Sequence, residues 1–470
     1  MIEISEELKN LAQIFKKHSV PLYIVGGYVR ESLTKVKNEL SEDIDLCSFV
    51  TPDKLEKILK GTDFKVEELN KKLGVMEIVG EEKRYEHSTF RREIFSNNSN
   101  FPTSIEFIKT LKEDAERRDF KINAIYYDII NNKYIDPFAG VRDIKNNTIK
   151  TVKTPRLVLQ DDPERILRLI RFANVLGFSI GEEELEIAKA NAYKVQGLSK
   201  KRVRNEFNKL MLSDKYYPTL KNSKSAHINA LKMLDDFNIL QYIFPSLAEI
   251  KSASEMTDNM KQLFNKIIKH LGMVDVNLRI PIIFIDILNN KKSLGEKDFD
   301  EKEFVKNLVE KNLGSENLNY PADVLSKVKN IVLGYSFQKK FLMSKKDIRR
   351  FVFYHYNAMT EILALKKLFP INENETEKEK LKRLEFIELI SQTYNEMKNE
   401  NVIFDKEKLD IKGEEIINRF PKIKLELLEE FKLDIAAKLA ETTSENNKEN
   451  LLDAADKVMN SKQDYYCEKW

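Results

Sequence analysis

The sequence predicts an α+β head of about 150 residues followed by an all-helical remainder. Three observations carry this expectation. Short apolar runs of strand type cluster between residues 22 and 130, interleaved with helical patterns. From Pro155 onward strand signals nearly vanish, and helix follows helix. The chain has 470 residues, 42% of them hydrophobic, enough to bury several cores.

Taken in order, residues 4–18 form an amphipathic helical pattern, and strand signals fall at 22–25, 44–50, 75–79, 84–90, 105–108 and 124–130. Helical patterns lie between them at 28–34, 52–60 and 112–118. Beyond Pro155, turn residues such as Gly177, Gly181, Gly197 and Pro218 separate the helices, and Phe244-Pro245 closes one block. A more apolar block centres on Arg279-Ile-Pro-Ile-Ile-Phe-Ile-Asp286-Ile-Leu. The charged, weakly apolar stretch from Asn372 to Lys380 is a candidate linker, and charge-rich helical pieces alternate with loops such as 441–449 after it. The expected segments are therefore a head at 1–152 and helical segments at 153–250, 251–371 and 381–470.

Charge says little about partners: 79 Lys and Arg against 76 Asp and Glu leave a formal +3, so any nucleic-acid surface must come from local asymmetry. Cys47 and Cys467 stand alone in no metal-ligand spacing, which argues against a disulfide framework or a zinc site. The start, Met1-Ile-Glu-Ile-Ser-Glu-Glu7, is acidic and lacks an apolar signal region, and no stretch approaches the ~18 apolar residues of a membrane span. A reducing cytoplasm, without membrane partners, is the expectation.

The chemistry concentrates at the front. Leu22-Tyr23-Ile24-Val25 ends at Gly26-Gly27, where a sharp turn can bring backbone N–H groups close to an anion, and Arg30 follows on the next helix. An ordinary turn is the alternative. Asp43 and Asp45 alternate on one strand and so share a face, where like charges repel unless a cation sits between them. A hard divalent ion, Mg²⁺ with a nucleoside triphosphate, fits that demand, against the alternative of a solvated strand face. A third carboxylate would complete a two-metal site; Glu86 and Glu106 are both candidates.

Arg117-Arg118-Asp119-Phe-Lys121-Ile-Asn123 sets a basic pair against an acid: the arginines can clamp a triphosphate or sugar while Asp119 and Asn123 bond ribose hydroxyls, or the group is a helix-end charge cluster. Asp161-Asp162-Pro163-Glu164-Arg165 reads as a helix start with an acidic cap and Pro in the first turn. Asp162 and Arg165, three apart, share a face and offer the acceptor and donors needed to bond a base edge; a capping Asp with a salt-bridged Arg is the plainer reading. Arg168, Arg171 and Lys200-Lys-Arg202-Val-Arg204 continue the basic character and can track a phosphate backbone or simply be solvated.

In order, Gly26-Gly-Tyr-Val-Arg30, Asp43-Ile-Asp45, Arg117-Arg-Asp-Phe-Lys-Ile-Asn-Ala124, Asp136-Pro-Phe-Ala-Gly140 with Asp143, and Asp161-Asp-Pro-Glu-Arg-Ile-Leu-Arg-Leu-Ile-Arg-Phe172 resemble class II tRNA nucleotidyltransferases. This is the CCA-adding family, which shares its head with bacterial poly(A) polymerases. The resemblance implies a polymerase-β-like nucleotidyltransferase head at 1–152, a helical neck with the base-recognition site at 153–250, a helical body at 251–371 and a tRNA-binding tail at 381–470. It implies that Asp43 and Asp45 hold Mg²⁺ and that Gly26, Gly27 and Arg30 approach the triphosphate. Arg118, Asp119 and Asn123 would contribute to the nucleotide pocket, Asp162 and Arg165 would read CTP and then ATP, and Arg168 would lie beside them. Arg202 matches a neck arginine that follows a Leu-Ser pair, here Leu198-Ser199. Leu409-Asp-Ile-Lys-Gly413-Glu-Glu-Ile and Glu445-Asn-Asn-Lys-Glu-Asn-Leu-Leu452 resemble tail elements of bacterial CCA-adding enzymes.

Departures from the pattern matter. Asp161 stands where the family usually has Glu, and Lys121 replaces Thr. The loop that usually carries Arg-Arg-Pro reads Ser96-Asn-Asn-Ser-Asn-Phe-Pro102, so its length is kept and its charge is not. Some relatives carry a phosphohydrolase unit with a His-Asp doublet; here Ile285-Asp286 stands there, and His18, His87, His227, His270 and His355 show no ligand clustering. No hydrolase is expected, and Asp286 is expected to be structural. The expected activity is Mg²⁺-dependent, template-independent addition of CCA, or part of it, to the acceptor arm of tRNA from CTP and ATP. A-only or C-only addition and a bacterial poly(A) polymerase are the alternatives, the last disfavoured by the non-basic end Asp464-Tyr-Tyr-Cys-Glu-Lys-Trp470. A catalytically silent tRNA-binding protein is the reading from another class, and the intact acid pair speaks against it.

Overall fold

The computed structural model describes residues 2–39, 43–94, 104–246, 257–295, 297–337, 344–370, 375–400, 402, 404–442 and 445–467. The chain divides into two compact units, Met1–Glu255 with Ser315–Asn319, and Met256–Gly314 with Tyr320–Trp470.

The first unit opens with helix α1 (Glu6–Lys17), capped by the Ser5 side chain and burying Leu8, Leu11, Ala12 and Phe15 along one stripe. Strand β1 (Tyr23–Val25) then leads into α2 (Gly27–Thr34), and β2 (Asp45–Ser48) into α3 (Pro52–Leu59). Strands β3 (Lys65–Asn70), β4 (Val75–Val79) and β5 (Arg84–Thr89) follow. Later come β8 (Tyr126–Asp128) and β9 (Lys133–Ile135), which complete a seven-stranded sheet in the order β3-β4-β5-β2-β1-β8-β9. The sheet is mixed: β2 runs parallel to β5, while its other neighbour pairs are antiparallel. Register sets Val25 opposite Asp45, and Asp45 opposite Glu86.

The expected strand at 105–108 falls outside this sheet. It is β7 (Ser104–Phe107), paired with β6 (Arg91–Ile94) in a separate ribbon. Strands β3 and β9 carried no strand signal because they are edges: β3 is almost wholly exposed and reads Lys-Val-Glu-Glu-Leu-Asn, with no apolar alternation to detect. The loop 96–102 lies outside the described residues.

After α4 (Leu111–Glu116) and α5 (Gly140–Lys145), strand β10 (Thr148–Ile149) pairs in parallel with β11 (Ser179–Ile180) beyond Pro155, so the helical part returns one short strand to the head. The helices of this part are α6 (Pro155–Asp161), α7 (Glu164–Leu176), α8 (Glu182–Asn191), α9 (Lys200–Met211), α10 (Ser213–Tyr216), α11 (Ser223–Asp236) and α12 (Leu240–Ile243). The central one is α7. It buries Ile166, Leu167, Leu169, Ile170, Phe172, Ala173, Val175 and Leu176 and ends at Gly177, whose φ of +69° gives the left-handed cap that glycine adopts freely.

The second unit is helical among the described residues, with helices at Thr257–Leu271, Val276–Ser293, Glu301–Leu313, Ala322–Ser336, Lys345–Tyr354, Met359–Leu368, Glu377–Asn399, Gly413–Arg419, Leu428–Ala440 and Lys448–Tyr466. The apolar block of the sequence becomes the centre of Val276–Ser293, with Ile282, Ile283, Phe284, Ile285, Ile287 and Leu288 all buried. Arg349, itself buried, donates to the carbonyls of Ala440 and Thr442 and to Glu400, so segments on both sides of the 372–380 break share one core. Residues 371–374 and 443–444, within the expected linker and loop, lie outside the described residues. Buried Asp286 takes both carboxylate oxygens to within 2.9 Å of His270 Nδ1. Among the described residues no helix is long and apolar enough to cross a membrane.

Candidate active site

The glycine pair does what its position suggests. Gly26 follows β1 with φ +83° and caps α2, a conformation costly for any L side chain. A Cβ there would lie 3.1 Å from Asp45 Oδ2, so the bare backbone lets that carboxylate approach the helix start. One turn on, Arg30 is only 3% exposed; Nη1 donates to Asn123 Oδ1 at 2.5 Å and Nη2 to the Tyr217 hydroxyl at 3.2 Å, while Nε has no partner.

Asp43 and Asp45 line the same cleft. Glu86, in register with Asp45 on the adjacent strand, is the third nearby carboxylate; Glu106 is spent on Arg92 at 3.0 Å in the β6–β7 ribbon. Burial, reinforced by Glu86 and Asp43 and opposed by Arg118 and Arg168, pushes the Asp45 carboxyl up to about 6. Burial and Asp43 also raise Glu86. An acidic group held against its own charge, with hard oxygen donors beside it, suits a divalent cation. No group of three His, Cys, Asp or Glu side chains among the described residues is arranged to hold a metal by itself.

The basic pair is fixed from beneath. Asp114, fully buried, accepts from Arg117 Nε at 2.8 Å, Arg118 Nη2 at 3.2 Å and the Tyr126 hydroxyl at 2.7 Å. Burial works to raise it, but the two guanidinium groups and the phenol hold it down at about 2. Asp119 and Asn123 prove to be engaged with protein partners. Asp119 accepts from Phe120 N and Asn123 Nδ2 on one oxygen and from Arg168 Nε, at 2.8 Å, on the other. Asn123 divides its amide between Asp119 and Arg30.

In the neck, residues 162–165 open a helix as the sequence suggests, while Asp161 belongs to the helix before it. Helix α6 ends at Asp161, Asp162 is extended (φ −137°, ψ 96°), Pro163 is the cap, and α7 starts at Glu164. The residue before a proline is driven out of the helical region by the pyrrolidine ring. The kink sets Asp162 beside the helix start, where Oδ1 accepts from Glu164 N at 3.2 Å and from Arg202 Nη2 at 2.5 Å. Arg165 Nε lies 4.0 Å from Asp162 Oδ2, with its terminal nitrogens on the carbonyls of Arg117 and Val158. Arg171 pairs with buried Glu206 at 2.7 Å, and the guanidiniums of Arg30, Arg168 and Arg171 surround the Phe172 ring at 4.9, 5.5 and 4.2 Å.

These side chains line one cleft of about 520 Å³. It holds Gly26, Gly27, Arg30, Asp43, Asp45, Arg118, Asp119, Asn123, Asp162, Arg165 and Arg168; Arg202 is outside the lining, bonded to Asp162 and Glu164, and the third-carboxylate candidates Glu86 and Glu106 are outside it as well. Seven basic and seven acidic side chains share the walls, a mixed charge suited to a polyanion that arrives with a cation. No local pattern points to Glu31, Asp114, Glu206 or Tyr217, because each acts through a partner brought close by folding.

A mixed sheet bearing a glycine turn and an aspartate pair, followed by a helical neck, defines a polymerase-β-like nucleotidyltransferase head. Residues 22–150 match the Poly A polymerase head domain, and residues 177–228 match the probable RNA and SrmB-binding site of polymerase A. Over these two segments the chain is similar to poly(A) polymerases and their relatives. It is 34% identical over 211 residues to the CCA-adding enzyme of Geobacillus sp. (strain WCH70), across 45% of this chain and 50% of that one. It is 32% identical over 237 residues to the CCA-adding enzyme of Staphylococcus aureus (strain MRSA252), across 50% and 55%. The chain thus spans about half the length of the curated relatives it matches. In fold it is similar to the Bacillus stearothermophilus CCA-adding enzyme in complex with CTP, at a TM-score of 0.61 and 19% identity over 98% of both chains.

Proposed function

We propose that this protein adds CCA, or part of it, to the 3′ end of tRNA from CTP and ATP without a nucleic-acid template. One observation carries the reading: the acid pair Asp43 and Asp45 shares a cleft with the Asp162–Arg165 edge, so a nucleotide can meet a catalytic centre and a base-reading surface together. The relatives named as CCA-adding enzymes, matched over about half of their length, support the choice of tRNA. The terminal ribose 3′-oxygen attacks the α-phosphorus in line; the new O–P bond forms as the α–β anhydride bond breaks, pyrophosphate leaves with the electron pair, and the hydroxyl proton passes to solvent.

Asp43 and Asp45 would hold Mg²⁺, which supplies charge neutralisation at the phosphates and a more acidic 3′-hydroxyl. The chain's own residues position the nucleotide. Arg30, in the cleft lining with the bare Gly26-Gly27 turn beside it, adds positive charge for the triphosphate. Arg117 and Arg118, locked by Asp114, add fixed positive charge. Asp162, oriented by Arg202, and Arg165, oriented by two carbonyls, present an acceptor and a donor toward the base. Arg168 links this edge to Asp119, and through it to the head.

The four segments 1–152, 153–250, 251–371 and 381–470 serve in this reading as head, neck, body and tRNA-binding tail. The uncharged loop Ser96–Pro102 favours a second reading, addition of only the terminal A or only the two Cs. The test offers tRNAs ending at the discriminator base, at C or at CC, with CTP and ATP separately and together, and reads product length. Full extension of all three with both nucleotides is the expected result. Extension of the CC form alone would replace it with A-addition, and long A-tails with a poly(A) polymerase.

A further inference from the structure

The neck reaches back to the phosphate end of the cleft through the Tyr217 hydroxyl as well as through the Phe172 ring. Tyr217 follows α10 and is 8% exposed; its ring packs with Val175 and Ala226, and its carbonyl accepts from the buried Ser223 Oγ at 2.5 Å. The neck therefore fixes both its backbone and its ring. Its hydroxyl then crosses to α2, donating to Glu31 Oε1 at 2.9 Å and accepting from Arg30 Nη2 at 3.2 Å. The one phenolic proton is used once and one lone pair once, so the arrangement is self-consistent.

The geometry matters because Arg30 and Glu31 are adjacent on one helix, with Nη2 only 3.5 Å from Glu31 Oε1. Without a third partner the guanidinium has every electrostatic reason to close on that carboxylate and turn away from the cleft. The hydroxyl satisfies both groups at once, and Asn123 holds the other terminal nitrogen at 2.5 Å. Arg30 is thus pinned at two corners, with its Nε buried, and stays in the wall of the cleft. The same turn braces the connection toward Asp43: Tyr216 O accepts from Glu39 N at 2.9 Å, and Glu31 Oε2 from Asn38 N at 3.3 Å.

We infer that Tyr217 is a positioning residue through which the neck holds Arg30 aimed at the phosphates of the incoming nucleotide, so that phosphate affinity, and not base choice, depends on it. The inference rests on the nucleotidyl-transfer reading above. Its signature is independent of the base, since Arg30 stands apart from the Asp162–Arg165 edge in role.

Tyr217→Phe keeps the ring and removes only the hydroxyl. Steady-state incorporation should show KM for CTP and for ATP raised by the same factor, about tenfold for one lost bond to a charged group, with kcat within about twofold. The inhibition constant of inorganic pyrophosphate should rise by that factor too. In an Arg30→Ala background the Tyr217→Phe change should have no further effect, because its target is gone. Circular dichroism and urea unfolding of each variant establish that the folded protein is compared. An unchanged KM, an effect on only one nucleotide, or full additivity with Arg30→Ala overturns the inference. If the unaltered protein incorporates neither nucleotide, the nucleotidyl-transfer reading itself has failed; calorimetric binding of pyrophosphate to the unaltered protein and to Tyr217→Phe then still decides the role of the hydroxyl.

Discussion

Glu206 lies on α9 with its side chain 2% exposed, accepting from Arg171 Nε at 2.7 Å, with Lys209 Nζ at 3.3 Å and Arg168 Nη1 at 3.8 Å. Glu206→Ala would leave the Arg171 guanidinium, 10% exposed, without its counter-charge. Breaking a buried pair by removing one partner costs about 3–5 kcal/mol. A second route gives a compatible figure. Burial works to raise the Glu206 carboxyl, but Arg171, Arg168 and Lys209 bring it down from the ordinary 4.5 to about 2. At 1.36 kcal/mol per pH unit that gap is worth about 3 kcal/mol. The folded value is depressed, so the contribution is fully present above about 4.5 and is lost as pH falls through about 2. Urea unfolding followed by far-ultraviolet circular dichroism should therefore show Glu206→Ala destabilised by about 3–5 kcal/mol at pH 7, with the penalty shrinking as pH falls from 5 toward 2. Glu206→Gln should lie between, keeping an acceptor for Arg171 and losing the pH dependence. A penalty under about 1 kcal/mol at pH 7, or one that does not change with pH, would refute the reading of this pair as a stabilising buried ion pair.

Replacing both Asp43 and Asp45 with Ala should abolish incorporation from CTP and ATP while leaving tRNA affinity, measured by gel shift, within about threefold; undiminished incorporation would put the catalytic acids elsewhere. Gly140→Ala would bring a Cβ to 2.1 Å from the Lys121 carbonyl oxygen, a backbone atom in the turn that carries Asn123. A loss of about 1–3 kcal/mol in unfolding free energy, with a raised KM for both nucleotides, is expected, and a change below about 0.5 kcal/mol would show that the turn yields.

Much of the head was legible because its signals are local. The run before Gly26-Gly27 had to be a strand ending in a turn, but Asp43 precedes β2 (Asp45–Ser48), so the two acids share the cleft without the strand alternation the sequence suggests. The choice between Glu86 and Glu106 was not local. It turned on which strand sits beside β2, and the parallel pairing with β5 favours Glu86. The same holds for Asp119 and Asn123, whose types suit ribose hydroxyls but whose hydrogen bonds go to Arg168 and Arg30. The kink at Asp162 was readable in principle from Pro163 alone, since a residue before proline avoids the helical region. His270 and Asp286, sixteen positions apart, gave no doublet to notice, yet two neighbouring helices bring them together.

By itself the sequence determined which residue types stand at the glycine turn, on the acid strand and along α7, because backbone conformation and alternation follow from near neighbours in the chain. Only the tertiary structure decided that Tyr217, 187 positions from Arg30, would aim it, and that Glu206 would neutralise Arg171. A hydrogen bond needs atoms within about 3 Å, and no regularity of spacing along a chain specifies which distant segments packing will bring that close.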